Sequence, residues 1–406
     1  MSRHFGLLVY ENTGNLGDEI QSLAARAFLP RVDRFMERER LHTFQSPDNT
    51  QTAVILNGWF MHHPENWPPA EGIWPLLISF HVSDWKNMGF GLGLRAQDTI
   101  MAEPFVKYLR GFGPVGARDP FTLGLLQKAG VESYLSGCVT LTLNRPEVEA
   151  REDLIVVNDV SPGTADFIRK NSTKEVIITA HSQFSDVEPE LRFAEAERLL
   201  ALYASASCVV TSRLHCALPC LAFGTPVLLL NATNDLNRFA GFLQYLHHCA
   251  ETDFVNGKYN FDFNTPPKNS ENFLGMRNEL RRSIERFIGI VSSKGNPPPP
   301  YPLTTADKIS AVRFVQNKAT SLLNDERRLL NQLRQSLTGE SAIQSTPECI
   351  VRELYRGILN REPDPTWLKK HAEKLKAGGI EGNLSSLIKY FLTSDEYLAS
   401  TVTTNG

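Results

Sequence analysis

The run Val209-Val-Thr-Ser-Arg-Leu-His-Cys-Ala-Leu-Pro-Cys-Leu-Ala-Phe-Gly-Thr-Pro-Val-Leu-Leu-Leu230 reads as strand, helix, strand. Its two short apolar ends, Val209–Ser212 and Val227–Leu230, have the composition of parallel strands buried on both faces. Ser212 suits a helix N-cap, and Gly224, just before Thr225-Pro226, suits a C-terminal cap. Pro219 falls inside the helical stretch and marks a place for a kink. Working outward, apolar runs near 154 and at Val176–Thr179 complete one series, and runs at 5–10, 52–58, 76–80 and 114–117 form an earlier one. Helical or polar segments separate them, and Leu143–Asp153, polar and containing Pro146, divides the two series as a connector. The pattern predicts two doubly wound α/β domains, over 1–147 and 151–291.

The composition changes after residue 290. Residues 292–302 carry Lys294-Gly-Asn-Pro-Pro-Pro-Pro-Tyr-Pro302, a proline-rich linker expected to be an extended spacer. Across 303–340, Val312, Val315, Ala319, Leu322, Leu329 and Leu333 recur at helical spacing, so one long amphipathic helix is expected. It would serve as a strut docked on the body or as a coiled-coil contact in a homo-oligomer. Residues 346–402 read as a small all-α domain.

With 406 residues, 42% of them hydrophobic, the chain can bury two or three cores, which excludes a disordered chain or a peptide hormone. Lys and Arg number 42 against 45 Asp and Glu, and no basic stripe stands out, so nucleic acid is not an expected partner. The apolar run at the N-terminus is too short for a signal peptide, and no segment approaches the roughly 18 apolar residues of a membrane span. The expectation is a cytoplasmic protein. Its six cysteines form no C-x-x-C pair and read as small core residues in a reducing compartment.

In open α/β sheets ligands bind beyond the carboxyl ends of the strands, and here those ends are unusually polar. They include Asn15 in Glu11–Glu19, Asn57-Gly-Trp59, His81–Asp84, Arg118-Asp-Pro120, Asn158-Asp159, His181 and Ser212–His215. At Ser212-Arg-Leu-His215 a helix N-terminus offers unpaired N–H groups, and Arg213 adds a fork suited to carboxylate or phosphate. The bland alternative is a surface arginine and a core histidine at an ordinary helix start. Arg118 precedes an Asp119 N-cap and Pro120 at the first helical position, so its backbone is pinned and its side chain can be aimed. Asp18 and Glu19 are either first-turn acids complementing a helix dipole or functional carboxylates.

Two tempting motifs fail. Gly111, Gly113 and Gly116 match G-x-G-x-x-G, but they precede a strand instead of following one. The adjacent pairs His62-His63 and His247-His248 suit exposed loops better than ligands at helical spacing, so no metal and no resident cofactor are expected.

Taken in order, Gly14-Asn-Leu-Gly-Asp18, Gly116-Ala-Arg-Asp119, Ser212-Arg-Leu-His215 and Phe223-Gly-Thr-Pro-Val227 resemble the polysaccharide pyruvyl transferase family over residues 5–290. The resemblance implies two Rossmann-like domains facing a cleft, as in GT-B glycosyltransferases. It also implies transfer of pyruvate from phosphoenolpyruvate, as donor substrate, to a saccharide or lipid-linked sugar of a cell-surface glycan, as a ketal. By that resemblance Arg213, Leu214 and His215 meet the donor, with Ser212 beside them, and Arg118 holds it from the other domain. His81 stands in the order of the remaining functional histidine, although its surroundings match less well. Asn15, Asn57 and His181 are further substrate-binding candidates. One departure is Ser136-Gly137-Cys138, where many members carry Gly-Asp.

The chemistry demands an acid for the vinyl carbon, expected at His215, and a base for the sugar hydroxyl, expected at Asp18 or His81. A nucleotide-sugar glycosyltransferase is the nearest alternative, though Arg213–Phe223 contains no acid to hold a ribose. A catalytically silent glycan-binding scaffold is the other. The tail, with Val351–Pro365, Trp367, Leu375, Gly378-Gly379 and Phe391–Tyr397, is similar to a bacterial helical module related to phycobilisome-linker repeats. That similarity implies an accessory role.

Overall fold

A computed structural model describes residues 3–11, 13–46, 50–60, 62–63, 66–83, 96–182, 187–231, 236–293, 304–338, 346–359, 362–377 and 387–388. The chain is a mixed α/β protein with two parallel sheets and a helical C-terminal region. The first sheet takes its strands from the stretch that runs, in chain order, β1 (His4–Val9), α1 (Leu16–Arg26), β2 (Arg34–Glu37), β3 (Thr52–Trp59), β4 (Ile73–His81), α2 (Ala96–Ile100), α3 (Glu103–Gly111), β5 (Val115–Ala117), α4 (Pro120–Lys128) and β6 (Ser133–Leu135). Its strand order is β2-β1-β3-β4-β5-β6. The second contains β7 (Arg151–Asn158), α5 (Pro162–Lys170), β8 (Glu175–Thr179), α6 (Pro189–Ser205), β9 (Ala206–Thr211), α7 (Leu214–Phe223), β10 (Val227–Leu230), α8 (Leu236–Phe239), β11 (His247–Cys249), α9 (Glu251–Val255) and α10 (Leu274–Ser292). Its order is β11-β10-β9-β7-β8.

The apolar runs of the sequence become the inner strands and, at Val176–Thr179, the edge strand β8, while β2, β6 and β11 are further strands at sheet edges. These three are short, partly solvated and carry no continuous apolar run, which is why they escape a hydrophobicity reading. His247 and His248 therefore lie on strand β11 and not in a loop, and His247 Nε2 lies 3.1 Å from the Lys268 carbonyl. A second correction concerns α7. Its N-cap position is Arg213, with no side-chain cap, while the Ser212 hydroxyl donates to the Asp159 carbonyl. Leaving β9 beside β7, Ser212 satisfies the neighbouring strand's exit, and the helix starts one residue later than a serine cap implies. The other end of α7 is as read, with Gly224 left-handed at φ 75.

One apolar cluster joins the two sheets. Leu16, Ile20 and Ala24 of α1, Phe193, Leu199 and Tyr203 of α6, and Leu214, Ala217 and Leu221 of α7 are all buried in it. Each large aliphatic buried there contributes roughly 1.5–3 kcal/mol. From the second sheet α10 returns to the first: Phe287 and Val291 pack with Phe5 and Ala53, and Phe287 meets Trp74 edge-on at 5.7 Å. The segment before β7 is tied down as well, since Arg145 donates to the Phe223 carbonyl at 3.0 Å and to the Ala204 carbonyl at 2.5 Å.

Gly137 has φ 75, and a Cβ there would run into Met276 Sδ on α10. Gly137→Ala is expected to destabilise the protein by about 1–3 kcal/mol in chemical denaturation. Adding Met276→Ala should relieve the collision but not the backbone strain. Full recovery in the double variant would show that the left-handed backbone costs nothing.

The described residues divide into two units, one carrying both sheets and the other His62-His63, residues 96–99 of α2 and the helices from Thr304 onward. The second unit has α11 (Thr305–Thr338), α12 (Pro347–Leu359) and α13 (Pro365–Ala377). Thr304 and Asp307 cap the start of α11 reciprocally, through Thr304 N to Asp307 Oδ2 at 2.8 Å and Asp307 N to Thr304 Oγ1 at 3.2 Å. Within this unit Ile350, Val351 and Leu354 of α12 and Ala372 and Leu375 of α13 are buried. Residues 294–302 of the proline-rich linker, the side chains of Ala319, Leu322, Leu329 and Leu333, Gly378-Gly379 and Phe391–Tyr397 lie outside the described residues, and position 292 is the last of α10. Among those described, no helix is long and apolar enough to cross a membrane.

Candidate active site

Strand order locates the crevices. In the first sheet it reverses between β1 and β3, and in the second between β7 and β9. At the second reversal Asn158 and Thr211 are register partners, and the Thr211 hydroxyl donates to Asn158 Oδ1 at 3.2 Å. The next residue, Asp159, adopts φ 49 and accepts from the His181 amide at 2.8 Å. Its carboxylate also holds the Arg213 fork, with Nε to Oδ2 at 3.1 Å and Nη2 to Oδ1 at 3.4 Å. Arg213 is thus a partly exposed guanidinium resting on an internal carboxylate.

Loops of the two sheets meet here. Asn15 caps α1 by accepting from Gly17 N at 3.2 Å, and it bridges to Ser182. The first amide of α1, Leu16 N, donates to the His181 carbonyl at 2.9 Å. A methyl group at Gly17 would stand 3.1 Å from His215 Nδ1 and 3.2 Å from its Cβ. The N-termini of α1 and α7 therefore converge, with a glycine letting the His215 ring between them. Both helix ends carry positive dipole character toward this point.

His215 is 4% exposed, and its Nε2 is buried without a hydrogen-bond partner. Burial pushes its pKa well below the ordinary histidine value, and the cationic Arg118 and Arg238 add to the shift. Arg118 is itself 1% exposed, and its Nε and Nη2 make no hydrogen bond. Its backbone amide is fixed to the Phe80 carbonyl at 2.9 Å, and Asp119 caps α4 by accepting from Thr122 N at 2.8 Å. The local sequence thus holds the arginine where the first sheet ends. Its neighbouring carboxylate, Asp119 Oδ2, is 3.6 Å from Arg118 Nε and only 2.5 Å from His81 Nδ1. The short contact fixes Nδ1 of His81 as the protonated nitrogen and leaves Nε2 with a free lone pair, also buried and unpartnered. Burial and then Arg118 push the His81 pKa down to about 4. Cys138 lies near the same arginine, whose charge partly offsets the rise that burial gives its thiol, and Thr140 Oγ1 sits 3.1 Å from its sulfur. A neutral thiol there adds no charge to offset Arg118, whose nearby carboxylate is that of Asp119.

Other sequence candidates hold different positions. Asp18 is engaged by Arg38 at 3.5 Å and by Gln21 Nε2 at 3.2 Å, so its carboxylate is already partnered. His181 is buried with Nε2 3.0 Å from the Tyr203 hydroxyl, and burial takes its pKa down to about 4. Asn57 is completely buried with both amide atoms unpartnered, beside Gly58 at φ 106. Leu214 is buried at the first position of α7.

Arg238, on α8, went unread in the sequence. Its guanidinium lies over the Trp59 ring at 5.6 Å, and that ring meets His81 edge-on at 6.1 Å. Three residues on, a Cβ at Gly241 would approach Pro120 Cδ at 3.0 Å, so this segment of the second sheet's chain touches the cap that positions Arg118. The only signal in the sequence was its place after the polar end of β10. The arrangement concentrates two arginines and two helix N-termini on neutral histidines, which suits a small multiply charged anion and proton transfer beside it. Among the described residues no three His, Cys, Asp or Glu side chains are grouped to hold a metal.

Among curated proteins none matches the chain. The crystal structure of a functional uncharacterized protein from Klebsiella pneumoniae subsp. pneumoniae is similar at 13% identity, covering 61% of this chain and 92% of that one with a TM-score of 0.37. The family profile described as polysaccharide pyruvyl transferase matches residues 15–234, more than half of the sequence. That stretch runs from the α1 cap past the end of β10 and takes in Asp18, His81, Arg118, Arg213 and His215. The chain belongs to the polysaccharide pyruvyl transferase family.

Proposed function

We propose that the protein moves pyruvate from phosphoenolpyruvate onto two hydroxyls of a saccharide or lipid-linked sugar in the cytoplasm, forming a cyclic ketal and releasing phosphate. The observation that carries this reading is Arg118, a buried guanidinium whose Nε and Nη2 make no hydrogen bond, close to the histidines His81 and His215, whose Nε2 atoms make none either. The one carboxylate near this buried cation, Asp119, is shared with His81, and a donor bearing phosphate and carboxylate would offset the remaining positive charge. In this reading the two sheets form a GT-B-like pair facing a cleft, supported by α10 crossing back onto the first sheet. Arg213 would exchange Asp159 for the donor, with the Leu214 amide at the start of α7 and Arg238 adding further positive character.

His215 is the acid. An anion bound beside it offsets the cationic neighbours, raises its pKa, and allows it to carry the proton delivered to the vinyl CH2 carbon. His81, aligned by Asp119, takes the proton from the attacking sugar hydroxyl as its oxygen bonds to the adjacent carbon. The C–O bond to phosphate then breaks, and the second hydroxyl closes the ketal as its proton leaves with phosphate. Over the cycle His81 releases its proton to solvent and His215 regains one, so that in sum one hydroxyl proton replaces the one given to the new methyl group and the other leaves on phosphate. The reaction is redox-neutral and uses no resident cofactor. Asp18, already paired with Arg38, is the weaker candidate for base and is better placed to orient the acceptor.

Phosphate release from phosphoenolpyruvate should depend on an added saccharide or lipid-linked sugar, with a ketal detectable in the product by mass. Arg213→Ala should raise the KM for phosphoenolpyruvate by about tenfold or more, the value of a charge-assisted hydrogen bond. No release across a broad acceptor panel, together with binding of nucleotide sugars, would replace this reading with glycosyl transfer.

A further inference from the structure

A cavity lies in the unit that carries both sheets, at the end of the second sheet opposite the candidate active site. It has a volume of about 730 Å³ and is bounded by the entry ends of β7 and β9, the C-terminal end of α7, the 264–271 segment and the start of α10. That is the size of a site for a small organic ligand. Five cationic side chains line it, Arg145, Arg151, Lys174, Lys268 and Arg277, against two acids, Glu152 and Glu271.

How these cations are used narrows the ligand. Arg151 is spoken for by Glu175 at 2.6 Å and Asp153 at 3.3 Å. The other four have no carboxylate paired with them among the described residues. Lys174 Nζ donates to the Ser207 hydroxyl at 3.1 Å, and Arg145 and Arg277 donate to the last carbonyls of α7, Phe223 at 3.0 Å and Ala222 at 3.3 Å. Partial burial and the nearby Arg281 lower the pKa of Arg277, which marks a surplus of positive charge at this wall. Thr225 supplies an independent sign of an absent partner. It is 1% exposed, lines the cavity, and its Oγ1 has no hydrogen-bond partner.

We propose that this cavity is a second ligand site, separate from the active site, for a phosphate ester of about sugar-phosphate size. The phosphate would sit between Lys174 and Lys268 with the spare N–H groups of Arg145 and Arg277, and a ligand oxygen would meet the Thr225 hydroxyl. Charge-assisted hydrogen bonds from several donors favour a dianion over a neutral sugar. The site lies at the far end of the ten-residue helix α7 whose N-terminus carries His215, about 15 Å away along the axis.

The test is calorimetric titration of the full-length Arg118→Ala protein, in which anion binding at the active site is weakened, with glucose 1-phosphate as probe and glucose as control. One equivalent of glucose 1-phosphate should bind and glucose should not. Lys174→Ala with Lys268→Ala in that background should weaken binding by about tenfold or more, and Thr225→Val by a few-fold, without lowering the melting temperature. Inorganic phosphate serves as a third probe, and equal affinity for it would overturn the requirement for an ester. No saturable binding, or binding unchanged by the lysine and threonine substitutions, would overturn the site.

Discussion

Substituting glutamine for His215 is expected to lower kcat by a factor of about 10²–10⁴, the usual contribution of a positioned general acid. Glutamine retains the length and a hydrogen-bonding head, so the convergence of α1 and α7 around Gly17 should survive. Donor binding should change little, because the cationic groups are elsewhere, on Arg118, Arg213 and Arg238. The result to look for is a fall in kcat with a KM for phosphoenolpyruvate within a few-fold of the parent. A variant that keeps most of its turnover would remove His215 from the acid role.

The pH profile adds a second reading of the same site. His81 as base must be neutral, and with its pKa pushed down to about 4 it stays neutral throughout the neutral range. On the acid side kcat/KM should therefore decline only as pH approaches 4. His215 as acid must be protonated, and its pKa is held well below 6.5 in the empty protein. The bound anion has to supply its charge, so the alkaline limit should appear in kcat at a higher pH than in kcat/KM.

Much of this site was legible in the sequence because its parts are local. Arg118, Asp119 and Pro120 are consecutive, and their cap chemistry fixes the arginine whatever surrounds it. Gly224 reads as a helix end for the same reason. What the sequence hid was long-range pairing. Arg213 looks like a free fork until Asp159, 54 residues earlier, is brought under it by the β7–β9 crossover. Asp119 reads as a cap, yet its second oxygen orients His81, 38 residues away. Ser212 is a good cap by composition, and only the adjacent strand exit shows why its hydroxyl is spent there. Arg238 has no local pattern at all, since its position over Trp59 depends on the two sheets meeting.

The same long-range principle sets the largest expected effect on stability. Glu19 of α1 and Arg192 of α6 form a buried pair, with both Arg192 Nε and Nη2 at 2.7 Å from Glu19 Oε1, across 173 residues of sequence. Both side chains are 3% exposed, and Glu19 Oε2 has no partner. Burial outweighs the arginine and raises the Glu19 pKa from 4.5 to about 7. A carboxyl whose pKa is raised on folding favours the folded state fully below its unfolded value, and that contribution is lost as pH rises through about 7. Arg192→Met would leave a buried carboxylate with no cation at pH 8, and should cost about 3–5 kcal/mol in chemical denaturation. At pH 5 the carboxyl is already neutral in the parent, so the same substitution should cost clearly less. Adding Glu19→Gln to Arg192→Met should recover most of the loss at pH 8, because the charge and not the shape is what the core rejects. An equal cost at both pH values would mean that packing of the arginine stem, and not its charge, joins α1 to α6.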